Sequence, residues 1–438
     1  MRFGLTGTQA TQKPHVLIYA HYYHPDVAST GQLLKELAEG LLSNFHVTVI
    51  CAVPSYSGTV DPEYTWKKYY RECIDGVEII RVRVPDFNKA NKKSRIKNIL
   101  VYFLRAMWAT YKTGHVDYIF SISQPPIFGG LLGVWGKWTK RAKYIYNIQD
   151  FNPEQTIAIG YSKNKGILKL MMALDKFSCK RADKVIVVGR DMVDTLKRRF
   201  QNGKVPAYVQ INNWVDENMI YPLDGKDLCV AAFCKKFGLT EKFVYMYSGN
   251  LGLYYDLENI MRVIKSIDPG FKTPDGRDVV FAFIGAGSIG DKLLRIKEEN
   301  HMANVVFIPY QDKTGLNYSL NAADVHWCIN AKGLKGVSVP SKLYGCIAAG
   351  KPVLGVLAKG SEARLIIEEA ECGHLCEPGD YDAIKRQIYW FAEHADSQEL
   401  TEMGMKGREY MVRHLSMKES IRYYEEVITA RRKLGILK

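Results

Sequence analysis

The stretch Phe243-Val244-Tyr245-Met246-Tyr247-Ser248-Gly249-Asn250-Leu251-Gly252 decides how this 438-residue chain divides. A run of strand-forming residues enters a glycine-punctuated loop, and a helical pattern opens near Asp256. Such a strand–loop–helix unit is the building block of a parallel sheet covered on both faces. Immediately before it lies a polar interval, Asp216–Glu241, that keeps neither period. Outward from this point the unit repeats. Downstream, Val279–Gly285, Val305–Ile308, Val325–Ile329 and Val353–Val356 read as strands. Upstream, so do His15–Ala20, His46–Val53, Val77–Val84, Tyr118–Ser123, Tyr144–Ile148, Lys184–Val188 and Ala207–Ile211. Amphipathic stretches such as Gly31–Leu42 and Arg95–Tyr111 lie between them. The fold class is α/β, with two Rossmann-like, doubly wound domains facing each other across a cleft. The expected division is residues 1–215, a linker 216–240, residues 241–415, and a helix over 416–438 that Ser416 caps and that returns to the first domain.

Composition fits a globular protein of two cores, with 47% hydrophobic and 24% charged residues and no internal repeat. The nine cysteines are scattered and odd in number, which suits reduced, buried thiols. Met1–Lys13 lacks the apolar core of a signal peptide, and no apolar run approaches the ~18–20 residues of a membrane span. The expected location is therefore cytoplasmic.

Charge is unevenly shared. Residues 1–215 carry 31 Lys and Arg against 16 Asp and Glu, whereas the remainder carries 29 against 30. An excess confined to one half points to a polyanionic surface. Lys89, Lys92, Lys93, Arg95 and Lys97 run into Ile99–Leu104 and Trp108, and Trp135 and Trp138 stand among further cations. Cations beside aromatic and aliphatic residues suit an anionic lipid interface. The alternative is that both helices simply pack their apolar sides on the sheet. Nucleic acid is not expected as a partner, because no recognition helix or base-stacking module is present.

Ligands of open α/β sheets bind beyond the carboxyl ends of the strands, so the loops there carry the candidates. Gly249, Asn250 and Gly252 follow one strand, where glycine lets backbone N–H groups approach a phosphate. Gly285-Ala286-Gly287-Ser288-Ile289-Gly290 matches the dinucleotide pattern, with Asp312 at a fitting distance. However, that fingerprint belongs to the first unit of its domain, and here a complete unit precedes it, which argues against NAD. Lys332–Lys342 leads into a helix with Pro340 in its first turn and Ser338 or Ser341 as its cap; Lys335 and Lys342 flank it as a diphosphate site. Lys359-Gly360-Ser361-Glu362 precedes another helix at the same crevice. In the first half, Thr30-Gly31 opens a helix after the first strand. Asp150 ends the fifth, where it either orients or deprotonates an acceptor hydroxyl or simply forms a turn with Asn152. His21 and His24 have no nearby ligand partner, so no metal site is expected.

Together these loops resemble the GT-B retaining glycosyltransferases of family 4, in the bacterial branch that assembles capsule, O-antigen and colanic acid polysaccharides. The likeness spans nearly the whole chain. It is carried by His24-Pro25-Asp26 through Gly31, Asn44–Val49, Val53-Pro54-Ser55-Tyr56, Gln124-Pro125-Pro126, Asp150-Phe151-Asn152-Pro153-Glu154 and Asn213-Trp214-Val215-Asp216. Its most specific elements are Tyr247–Gly252, Phe283–Gly287, and Pro340-Ser341-Lys342-Leu343-Tyr344 followed by Ala348-Ala349-Gly350-Lys351-Pro352-Val353. Two features depart from the family. The paired glutamates that many members place before the Ala-Ala-Gly turn fall at Val337 and Gly345, and Asn250 stands where an arginine would hold the diphosphate.

The resemblance implies transfer of a sugar from a UDP- or GDP-sugar with retention at the anomeric carbon, without cofactor or metal. Lys342 and Lys335, the N–H groups of Gly249 and Gly252, and the helix start after Ser338 would hold the departing diphosphate. Asn250, Gly285, Gly287, Tyr310, Ser341 and Glu362 would complete the nucleotide site, with the base between Gly285 and Tyr310. Asp150, Thr30 and Gly31 would act from the opposite domain on acceptor and donor. The implied acceptor is a saccharide on polyprenyl diphosphate, with the enzyme peripheral on the inner face of the cell membrane. Two rival classes are a nucleotide-sugar 2-epimerase of the same architecture, which has no use for the basic aromatic surface, and a non-catalytic nucleotide-sugar binder, which would tolerate loss of Lys342.

Overall fold

The computed structural model describes residues 13–26, 29–88, 91–429 and 435–436. The first half builds strands β1 (His15–Ala20), β2 (His46–Ala52), β3 (Tyr69–Ile74), β4 (Val77–Val82), β5 (Tyr118–Ile122), β6 (Lys143–Ile148), β7 (Lys184–Val187) and β8 (Tyr208–Gln210). All pair in parallel except β3, an antiparallel edge strand on β4. Between them run helices α1 (Ser29–Leu41), α2 (Lys92–Thr110), α3 (Phe128–Lys140), α4 (Glu154–Ala158), α5 (Lys165–Arg181) and α6 (Arg190–Arg199). Strand alternation divides the core in two. Leu17 and Tyr19 face the layer built with α2, α3 and α6, whereas Val16, Ile18 and Ala20 face the layer built with α1.

The second half opens with α7 (Leu228–Phe237) and continues through β9 (Lys242–Ser248), α8 (Leu257–Lys265), β10 (Asp278–Ile284), α9 (Gly290–Glu299) and β11 (Val305–Ile308). It proceeds with α10 (Leu316–Asn321), β12 (Val325–Ile329), α11 (Lys342–Ala348), β13 (Val353–Val356), α12 (Glu362–Ala370) and β14 (Gly373–Cys376), and ends in α13 (Tyr381–Glu393) and α14 (Gln398–His414). Its six strands are ordered β11-β10-β9-β12-β13-β14 and are all parallel. In both sheets the order reverses beside the first strand, between β1 and β5 and between β9 and β12. These two switch points are where ligand crevices open.

Several boundaries differ from the sequence expectation. Residues 216–240 are not merely a linker: α7, capped by Asp227, packs Val230 and Phe233 against Val244 and Met246 of the second sheet. The last helix, α15 (Met417–Ile428), starts at Ser416 as expected but stops ten residues short of Lys438. It lies on the first domain, where the Tyr424 hydroxyl accepts a 2.5 Å hydrogen bond from Asn147. A two-residue strand β15 (Gly435–Ile436) then pairs in parallel with β8.

Candidate active site between the two sheets

The loops after β9 and β10 lock together through their backbones. Leu251 N–H donates to the Ala286 carbonyl at 3.0 Å, and Ile289 N–H returns a bond to the Leu251 carbonyl at 3.1 Å. A Cβ on Gly285 would run into the Gly249 carbonyl oxygen, and one on Gly287 into that of Leu251. These two glycines are therefore demanded by loop–loop packing, which accounts for the dinucleotide-like spacing without a dinucleotide. Gly285 also holds φ at +132°. Gly285→Ala is expected to lower stability by about 2–4 kcal/mol; an unchanged urea midpoint would show that the loops have room. Asn250 is exposed, with its side-chain amide folded beside Gly252.

Lys342 begins α11 and reaches under this loop, its stem against Gly249. Its Nζ lies 3.4 Å from the ring centroid of Tyr255 and 5.0 Å from that of Tyr247. No carboxylate pairs with it among the described residues. Burial pushes its pKa down to about 7, with only small opposing contributions from Cys328 and Cys346. An ammonium stored on aromatic faces without a counter-ion is poised for an arriving anion.

Across the cleft, Asp150 follows β6. Its backbone forms a β-bridge with Ser338, and Phe151 N–H donates to the Val337 carbonyl at 2.9 Å. Burial raises the Asp150 pKa to about 6, while hydrogen bonds from Gln124 and Gln155 favour its charged form. Its charge reaches Tyr254 and Tyr255, so Asp150 and Lys342 flank the same tyrosine. Gln124 also accepts a 2.7 Å hydrogen bond from the Thr30 hydroxyl, tying the loops after β1 and β5 across their switch point. Gly31 packs against the Tyr22 backbone. Tyr310 stands exposed on the C-terminal rim, within electrostatic reach of Tyr56.

Other expected nucleotide groups have local duties. Glu362 is buried and accepts from Arg190 N–H at 2.6 Å, Arg190 Nε at 3.0 Å and Asn212 Nδ2 at 2.8 Å. It thereby clasps the two domains together. Lys335 Nζ donates to the Lys359 carbonyl at 2.7 Å, closing the turn at Gly360. Ser341 occupies the cap position of α11 but makes no capping hydrogen bond, and Ser338, three residues earlier, pairs with Asp150 through its backbone. Asp191 accepts from Gly336 N–H at 2.7 Å, another link between the domains. Sequence reasoning missed Asp191, Arg190, Asn212, Gln124, Tyr254 and Tyr255. Tyr254-Tyr255 beside the Gly249 loop was the readable signal, whereas the pair Arg190–Glu362 spans 172 residues.

The basic aromatic surface is resolved in part. Helix α2 buries Asn98, Tyr102, Ala106 and Ala109 and leaves a second stripe, Ile96, Leu100, Leu104 and Trp108, exposed. Packing on the sheet thus accounts for one side only. Trp138, Ile157, Tyr161, Ile167 and Leu170 are exposed as well. Lys92 lies over the Tyr161 ring at 4.2 Å, and Lys93 and Lys97 are exposed on α2. Two residues depart from this assignment. Trp135 is half-buried and donates its indole N–H to the Met107 carbonyl at 3.1 Å, fastening α3 to α2. The charge of Arg95 acts on Tyr22 and Tyr254, so it belongs to the cleft mouth. Lys89 lies outside the described residues. Among the described residues no helix is long and apolar enough to cross a membrane.

Residues 30–214 match the family described as glycosyl transferase 4-like domain. The chain is 29% identical over 360 residues to a Pseudomonas aeruginosa protein assigned as the glycosyltransferase WbjE, covering 82% of each chain. It is 24% identical over 380 residues to an Escherichia coli K12 protein assigned to colanic acid biosynthesis as the glycosyl transferase WcaI, covering 83% of this chain and 86% of that one. Among solved structures it resembles Anabaena Alr3699/HepE in complex with UDP-glucose, with a TM-score of 0.69, 13% identity, and 95% and 99% of the two chains covered. The last likeness is one of fold.

Proposed function

We propose that this chain, similar over residues 30–214 to the glycosyl transferase 4-like domain and over most of its length to WbjE, is a glycosyltransferase of the GT4-like type with the GT-B fold that moves a sugar, with retention, from a nucleoside diphosphate sugar to a lipid-linked saccharide in cell-surface polysaccharide synthesis. The observation that carries this reading is the unpaired Lys342 ammonium facing Asp150 across Tyr255. Leaving of the diphosphate builds negative charge that Lys342 meets; the Gly249 N–H, expected to help, instead donates to the Ile284 carbonyl at 2.9 Å, which leaves that part to the N–H groups of Asn250 and Gly252. This charge compensation needs no metal. Asp150, with its pKa near 6, is matched to draw the proton from an acceptor hydroxyl. A UDP-sugar is the first donor to test, because HepE of the same fold was solved with UDP-glucose; a GDP-sugar is the second. The assignments of WbjE and WcaI support the polysaccharide setting. The test is NMR of the anomeric centre in product formed from each donor. Retention supports the reading, while inversion, or sugar interconversion without transfer, sinks it.

A pH profile follows. In the free enzyme kcat/KM rises as Asp150 ionises through about pH 6 and falls as Lys342 loses its proton above about pH 7. Bound diphosphate favours the ammonium, so the alkaline limb of kcat moves to higher pH. A flat profile between pH 5 and 9 would remove both residues from these roles.

The stripe of Ile96, Leu100, Leu104 and Trp108 beside exposed lysines supports peripheral attachment to anionic lipid at the cytoplasmic face. Neutralising Lys92, Lys93 and Lys97 is expected to weaken flotation on phosphatidylserine vesicles about tenfold or more, at about 1 kcal/mol per cation. Equal flotation would contradict the attachment.

A further inference from the structure

A cavity of about 340 Å³ opens on the first domain between α5 and the segment that follows α6, wholly outside the donor cleft. Lys176 and Lys180, one turn apart on α5, line one side, and Arg198 and Lys204 line the other. Phe200, itself buried, forms the floor, with the ammonium of Lys176 5.2 Å and that of Lys180 6.0 Å from its ring centroid. Arg199 also lines the cavity, but its charge is already met by Asp175 and Glu154. None of the other four cations has a carboxylate within ion-pair distance among the described residues. Like charges gathered in a concave site raise the local potential and concentrate anions there.

We propose that this cavity is a second anion site, which takes a phosphate or diphosphate group. The four cations supply charge-assisted hydrogen bonds, and the Phe200 face holds the two α5 lysines in place when the site is empty. Arg199 gives the site a physical link to the cleft, because its guanidinium also donates to the Asn152 carbonyl at 2.8 Å, in the segment that carries Asp150. Two sources offer this chemistry, a lipid headgroup and a soluble phosphate compound. Helix α5 carries exposed Ile167 and Leu170 toward its other end, which a headgroup ligand would exploit.

The test is calorimetric titration of the full chain with pyrophosphate. Wild type should bind at two sites. Lys176→Gln with Lys180→Gln should weaken one of them about tenfold or more, whereas Lys342→Met should spare that one and weaken the other. Lys204→Gln, across the cavity, should weaken the same site as the lysine pair. A second arm uses vesicles with and without phosphatidic acid. If the double variant also loses binding to phosphatidic acid vesicles, the natural ligand is a headgroup; if only pyrophosphate binding falls, it is a soluble phosphate. Pyrophosphate binding that is unchanged in the double variant, or a single wild-type site lost entirely in Lys342→Met, overturns the proposal.

Discussion

Lys342→Met lowers kcat/KM for sugar transfer by about 10³-fold, the size of effect seen when one preorganised donor to a developing anion is removed. The same substitution leaves the unliganded protein at least as stable as wild type. Both outcomes come from one geometry, since Lys342 is held against Tyr247 and Tyr255 with no carboxylate partner among the described residues and its burial penalises the charge. Methionine matches the stem and removes the penalty. The direction with pH is fixed by linkage. The folded pKa of about 7 lies below the ordinary 10.5, so between these values the unfolded chain binds the extra proton and wild-type stability rises with pH. The advantage of Lys342→Met is therefore largest below about pH 7 and vanishes above about pH 10.5. Melting temperatures of both proteins across this range check it, with a difference of ~2–4 °C for each kcal/mol. A less stable variant at pH 6 would mean that Lys342 has a structural partner.

The second large effect concerns folding. Arg199 is buried, its guanidinium paired with Asp175 and Glu154 and donating to the Asn152 carbonyl. It also stacks on Phe151, 4.3 Å from the ring centroid. Arg199→Met should cost about 3–5 kcal/mol, because it strands the buried Asp175 carboxylate. Burial already raises the Asp175 pKa even with Arg199 present, so without it the carboxyl is readily protonated. A carboxyl raised in the folded state favours folding at low pH and loses that contribution as pH rises through its folded pKa. The destabilisation should thus be smaller at pH 5 than at pH 8, as equilibrium urea melts would show. A loss independent of pH would mean that packing on Phe151, and not charge, is what Arg199 supplies.

The two-sheet architecture was legible because its strands are fully buried and read as continuous apolar runs, as in Phe243–Ser248. Strand β3 was not legible, because an antiparallel edge strand with half-exposed Tyr69 and Tyr70 and exposed Arg71 has no such run. Helix α7 was hidden in a polar interval, although Asp227 as its cap and Gly238 in the left-handed conformation at its end were signals of a helix. At the site, residues on or just past the loops that follow strands come together in two groups: Thr30 bonds Gln124, which also bonds Asp150, and Lys342 packs on Gly249. The partners of Glu362, Lys335 and Trp135 lie elsewhere in the chain and could not be read from the sequence around them. No local pattern announces that a carboxylate will meet Arg190 or that an indole will meet the Met107 carbonyl. The same limit applies to Gly285 and Gly287, whose spacing resembled a cofactor loop and whose cause is the neighbouring backbone.

The central claim is that Lys342 holds the diphosphate of a nucleotide-sugar donor. The most direct measurement is calorimetric titration of wild type and Lys342→Met with UDP, GDP, ADP, CMP and NAD at pH 6.5. The account predicts that UDP or GDP binds wild type and binds Lys342→Met about 30-fold more weakly, as a lost charge-assisted contact of ~2 kcal/mol requires. Binding of NAD alone, or a nucleoside diphosphate that binds both proteins equally well, would contradict it.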